Sequence, residues 1–268
     1  DSLVPGGTQS IGIRVPILRQ TAKAISKGDY ASFLNCKNNA YREEIMIKGL
    51  VMSLIKCDYH EMLGYIKQYV AQITNWETCD IVSFKGLKKH LDEFLNDVEY
   101  FIYNENPWIV RFGFKCLMEF YLTDEYIDKV LSYVNSVNSD FYYVQMMQGW
   151  LVATAAAKCR DKTMKFLESN DLNATTQNMA VRKIRESLRI SKEDKELVLA
   201  AEKRQLVKIQ HYHEGQRMHE EGKAEGKLAS KKEDTLMLFK SKFPQEDNEL
   251  LENLTLQPVS YTHLRAHE

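Results

Sequence analysis

Proline and glycine are scarce in this chain, at 5 and 12 of 268 residues. Proline removes a helical N–H donor and glycine carries excess chain entropy, so their scarcity favours helix over sheet. Abundant Leu, Lys, Glu and Ala point the same way. Cysteine is sparse too. Cys36, Cys57, Cys79, Cys116 and Cys159 are odd in number, widely spaced and form no C-x-x-C. That pattern argues against a disulfide framework or a Cys-rich zinc site and suits a reducing, cytoplasmic setting. No apolar run reaches the roughly 20 residues that span a bilayer, and no secretory signal is visible, so no membrane partner is expected. The formal net charge of −1 names no partner by itself; the distribution of charge has to do so.

What the chain does contain is helical periodicity. Pro16 sits where a helix would start, followed by Ile17, Leu18, Thr21, Ala22 and Ile25 at helical spacing. Tyr41 to Ile55 reads as a second helix, and Met62, Leu63, Ile66, Tyr69, Val70 and Ile73 make an amphipathic stripe. Asn106 is a good N-cap, with Pro107 at the first helical position. Trp108 to Leu122 is apolar on nearly all sides, which predicts a buried inner helix. Acids Asp124 and Glu125 open its partner, whose stripe is Ile127, Val130, Leu131, Val134 and Val137. A further pair begins near Asp140, and its small run Ala153 to Ala157 permits close helix approach.

These pairs recur. Val110-Arg111 corresponds to Val144-Gln145 at an offset of 34, Met179 lies another 34 beyond Gln145, and Cys79-Asp80 precedes Val110-Arg111 by 31. Two helices per unit at this period predict an all-α, HEAT-like helical-repeat solenoid, an α-α superhelix, with an irregular helical bundle as the alternative. The expected layout is a repeat domain over 1–203, a polar helical tail or linker over 204–258, and residues 259–268 set aside. That last stretch, VSYTHLRAHE, resembles one reading frame of a sequencing-library adapter. A monomer is expected.

Stacked repeats place equivalent inner-helix positions in a column, which here would hold Asp80, Arg111 and Gln145. Trp76 lies four residues before Asp80, on the same helical face. Spacing does not place Trp150 on that groove. A carboxylate, a guanidinium and aromatic walls suit a cationic or sugar-phosphate ligand; equally, a Trp can be core and an Asp a helix cap.

From Ser10 to Lys203 the chain resembles the AlkD-like DNA alkylation-repair proteins, a HEAT-like family of DNA glycosylases. The matching segments are IGIRVPILRQTAKAI near the start, NWETCD at Asn75 to Asp80, WIVRFGFKCLMEFYL at Trp108 to Leu122, YYVQMMQGW at Tyr142 to Trp150, and VRKIRESLRIS at Val181 to Ser191. The resemblance implies that Asp80 is the catalytic aspartate and that Trp76 and Trp150 flank the deoxyribose of the damaged nucleotide. It implies that Arg111 contacts the DNA backbone. It also implies that most of the family's first helix lies upstream of this sequence.

The implied reaction is hydrolysis of the N-glycosidic bond of cationic N3- or N7-alkylated purines in double-stranded DNA, without a cofactor or metal. A base that already carries positive charge leaves without protonation, so a carboxylate beside C1′ that stabilises oxocarbenium charge and orients water suffices. The implied mode does not flip the base into a separate pocket, in contrast to many glycosylases. Phosphate contacts are expected from Arg14, Arg19 and Lys23, from Lys85, Lys88 and Lys89, and from Arg182, Lys183, Arg185 and Arg189. His211, His213 and His219 lack a framework for metal binding, and Gly222 to Lys227 lacks the spacing of a P-loop. The competing reading is a non-catalytic HEAT-like scaffold that binds DNA or protein through the groove.

Overall fold

Short polar side chains set where the helices begin. In the computed structural model, Asn75, Asn106 and Asn173 each accept a first-turn backbone N–H, from Thr78, Trp108 and Thr176. They open α5 (Trp76–Ile81), α7 (Pro107–Phe120) and α11 (Ala174–Glu186). Asp29 and Asp58 cap α2 (Tyr30–Asn35) and α4 (Tyr59–Val70) in the same way. Each cap satisfies a donor that the helix itself leaves unpaired. The remaining helices are α1 (Val15–Ile25), α3 (Arg42–Met52), α6 (Leu91–Ile102), α8 (Ile127–Ser136), α9 (Tyr142–Lys158) and α10 (Arg160–Glu168). A 3-10 turn covers Lys85–Lys89, and residues 192–200 are again helical.

The structure describes residues 9–36, 40–200 and scattered helical positions between 222 and 237. The chain divides into two units, Asp1–Arg204 and Gln205–Glu268. Most of the expected polar tail, the histidine trio and the final ten residues lie outside the described residues. Among the described residues there is no strand; Gln9 and Tyr41 form one isolated bridge.

The first unit is an all-helical repeat solenoid. Helices α1, α3, α5, α7, α9 and α11 pack in unbroken succession as one layer. Across from them α4 rests on α3 and α7, α6 on α7, and α8 and α10 on α9. The period found in the sequence reappears in the hydrogen bonds between repeats. Tyr126 donates to Asp92 and Tyr133 to Glu99, both across 34 residues. Lys162 donates to Asp128 across 34 and Arg111 to Asp80 across 31. Each unit thus borrows partners from the unit one period away, as stacking of incomplete units requires.

The helix expected over Tyr41 to Ile55 ends at Met52, where Ser53 caps it and Leu54 turns out to solvent. The nearly all-apolar α7 is the buried inner helix, with both faces covered by its neighbours. The small-residue segment of α9 does permit close approach. A Cβ on Gly149 would lie 2.9 Å from the Met179 Cβ and 3.0 Å from the Ala180 nitrogen of α11.

Candidate functional site

The site is built around α5, a helix of only six residues. Beneath it, Tyr69 of α4 is fully buried and donates its hydroxyl to the Thr78 carbonyl at 2.5 Å. Gly49 makes room for that ring, since a Cβ there would clash with it. Thr78 and Cys79 point into the core, and Trp76 and Asp80 are left on the opposite side. Burial, with the charge of Asp80 added, pushes the Cys79 thiol well above its ordinary value. It is a protonated core residue rather than a nucleophile.

Asp80 is held by Arg111. The guanidinium donates from Nε to Oδ1 at 3.1 Å and from Nη2 to Oδ2 at 2.5 Å, while Nη1 donates to the Tyr143 carbonyl at 2.7 Å. One side chain of α7 therefore ties α5 to the first turn of α9. The Arg111 side chain is 1% exposed and that of Asp80 24%. The cation is sunk in the layer and the carboxylate edge faces out. Arg111 is thus turned inward and engaged inside the protein instead of being presented at the surface. Gln145, expected in the same column, is buried and donates to the Ser139 carbonyl.

Asp80, Ile81 and Arg19 line two adjoining concavities. The larger, about 940 Å³, runs over α7, α9 and the end of α11 and includes Trp150. The smaller, about 580 Å³, lies against the chain before α1 and includes Trp76. The two tryptophans thus belong to opposite sides of Asp80. Trp150 is 44% exposed, which leaves its ring open to a ligand. The N-terminal wall of the smaller concavity is fastened by Glu43, which accepts from the Ser10 hydroxyl and the backbone N–H groups of Ile11 and Gly12. Burial opposes charge on Glu43, but these hydrogen bonds outweigh it and hold its carboxyl below the usual value.

A further polar group lies on the floor of the larger concavity. Lys115 donates to the Val82 carbonyl and to Glu119, and Glu119 accepts from the Ser83 hydroxyl. Sequence reasoning passed over it. Arg111, Lys115 and Glu119 recur every four residues on a helix that is otherwise apolar, and that stripe of charge was the available signal.

The expected basic residues separate. Lys183 and Arg189 line the larger concavity, whereas Arg182 and Arg185 do not. Arg182 and Lys183 both pair with Glu186. Lys85 and Lys89 line a third hollow with Arg19 and Lys23, and Lys88 stays outside it. Among the described residues no three His, Cys, Asp or Glu side chains converge as a metal site, and no helix is long and apolar enough to cross a membrane.

No curated protein and no solved structure matches the chain. Residues 3–189 match the model of a family described as "DNA alkylation repair enzyme". The chain therefore belongs to the DNA alkylation repair enzymes, with a role in DNA repair.

Proposed function

We propose that this protein is a DNA glycosylase that hydrolyses the N-glycosidic bond of N3- or N7-alkylated purines in duplex DNA. The observation that carries this reading is Asp80. Its carboxylate is fixed by a buried bidentate guanidinium, opens toward solvent, and sits where a Trp76 hollow meets a Trp150 hollow. Arg111 occupies one lone-pair direction on each carboxylate oxygen, which leaves others free for a water and for the sugar.

The reaction needs little else. The alkylated base is already cationic, so the C1′–N bond breaks with its electron pair passing to the base, which leaves neutral. Positive charge develops on C1′ and the ring oxygen. Asp80 stabilises that charge and orients the water that adds to C1′ and then loses its proton. Trp76 and Trp150 hold the two sides of the nucleotide and attract the cationic charge through their ring faces. Arg111 acts through Asp80, as a positioning residue, instead of reaching a phosphate itself. Phosphates fall to exposed cations around the groove, among them Lys85, Lys88, Lys89, Arg182, Lys183 and Arg185.

The test is release of 7-methylguanine or 3-methyladenine from methylated duplex DNA, with Asp80→Asn alongside. Release by the wild type and a loss of about 10²–10³-fold in the variant are expected, the range seen when one preorganised electrostatic group is removed. No release by the wild type, or undiminished release by Asp80→Asn, overturns the reading. Duplex binding without release would instead support a non-catalytic scaffold.

A further inference from the structure

The three hollows described above differ in charge. The one shared by Trp150 and Asp80 mixes Arg19, Lys115, Lys158, Lys183 and Arg189 with Asp80, Glu119 and Glu186. The Trp76 hollow sets Arg14, Arg19 and Arg42 against Glu43, Glu77 and Asp80. The third, about 640 Å³, has Arg19, Lys23, Lys56, Lys85 and Lys89 in its lining and no carboxylate. These five cations are exposed. None of the four lysines makes an ion pair among the described residues, and Arg19 donates only to the Ile81 carbonyl.

Three separate parts of the chain supply this charge: α1, the loop after α3, and the 3-10 turn after α5. Five like charges gathered around one hollow repel one another, and no carboxylate lines the hollow itself to offset this. An external polyanion would. The hollow also adjoins the Asp80 region, because Arg19 and Ser83 line both it and the Trp150 concavity.

We infer that this hollow is a dedicated phosphate-binding site, taking consecutive phosphodiesters of one DNA strand as that strand leaves the Asp80 groove. The inference rests on the reading that duplex DNA lies in that groove, and adds where one flank is held. Arg19 is the hinge between the two regions. Lys56, Lys85 and Lys89 neutralise successive phosphates. The apolar walls from Leu50, Met52 and Met62 contribute shape but no sequence preference. Lys56, which lay in no basic cluster of the sequence, belongs to this site by folding alone.

The test uses the full chain, the triple variant Lys56→Ala/Lys85→Ala/Lys89→Ala, and the control Lys129→Ala/Lys165→Ala on α8 and α10. Affinity is measured by fluorescence anisotropy for a duplex with one tetrahydrofuran abasic site, across a range of salt. The triple variant should bind at least ~10-fold more weakly near 0.1 M salt. Its log–log salt slope should fall by about 2.7, since each of the three neutralised phosphates contributes roughly 0.9. The control should match the wild type.

A run of neutral methylphosphonates walked along each strand should weaken wild-type binding from one flank of the abasic site, and that penalty should vanish in the triple variant. A triple variant with wild-type affinity and slope, or a penalty that persists in it, overturns the inference. Base release is assayed in parallel. If the wild type releases alkylated base while the triple variant binds normally, only the phosphate site fails. If the wild type neither binds duplex nor releases base, the glycosylase reading fails and this inference with it.

Discussion

Two arginine–aspartate pairs in this protein share nearly the same geometry and face opposite ways. Arg111 and Asp80 are joined by two hydrogen bonds across 31 residues. Arg160 and Asp194 are joined by two across 34. In the first pair the guanidinium is 1% exposed and the carboxylate 24%. In the second the guanidinium is 52% exposed and the carboxylate 11%. The repeat architecture thus supplies one staple twice and inverts which charge reaches the surface. Where the anion faces out it meets two hollows with a tryptophan in each. Where the cation faces out it is covered by a second carboxylate, Asp161, at 2.7 Å. The lesson is that pairing by itself marks no site; the sign presented to solvent and its surroundings do.

The sharpest way to break this comparison is to treat the two carboxylates alike. Asp80→Asn should cut base release by about 10²–10³-fold, while Asp194→Asn should leave single-turnover release unchanged. Equal losses from both variants would mean that Asp80 matters only as a staple. Next in size is the effect on folding. Arg111→Leu leaves Asp80 without its partner and empties a donor to the Tyr143 carbonyl. Removing one member of a buried pair costs roughly 3–5 kcal/mol. About 3 kcal/mol is expected in urea unfolding, because the Asp80 edge keeps access to water. Arg160→Leu, at an exposed guanidinium, should move the midpoint far less.

Smaller again is the contribution of the walls, which only the first pair possesses. Trp150→Ala should lower release about 2- to 30-fold, the range for losing a cation–π contact of about 0.5–2 kcal/mol. Stability should hardly change, because nearly half of the ring is in solvent. A Trp150→Ala variant that loses stability but keeps its release rate would return this tryptophan to the core.

Much of this was legible in the sequence, and the limits are physical. Period and caps placed α7 and set Asp80 one repeat from Arg111, because helical stacking carries a register along the chain. Periodicity specifies a face but not a depth. It could not say that Arg111 lies beneath Asp80, or that Gln145 turns to the Ser139 carbonyl instead of the groove. Trp150 stood one and a half turns off the column, and only the folded chain, which sets it in one concavity with Asp80, shows which surface it joins. Lys56 was invisible for another reason. Its neighbours in the basic hollow come from other repeats, and loops carry no period. The charged stripe Lys115 and Glu119 was readable in principle, but the apolar character of α7 hid it.

The finest distinction between the two pairs is their response to acid, and it concerns the structural one. The hydrogen bond from Arg160 is the main reason that the Asp194 carboxyl lies below its ordinary value of 3.8, with burial opposing. A carboxyl depressed in the folded state contributes stability that is complete above its unfolded value and fades as pH falls through its folded one. The gap in urea midpoint between wild type and Asp194→Asn should therefore be constant from neutrality down to about pH 5. Below that it should close, as protonation makes the wild-type side chain resemble the amide. A gap that stayed the same at pH 3 would show that the amide is penalised by shape or hydrogen-bond direction, and that charge at Asp194 contributes nothing. The pair would then differ from Asp80–Arg111 in kind as well as in orientation, since only the groove-facing carboxylate would be required as an anion.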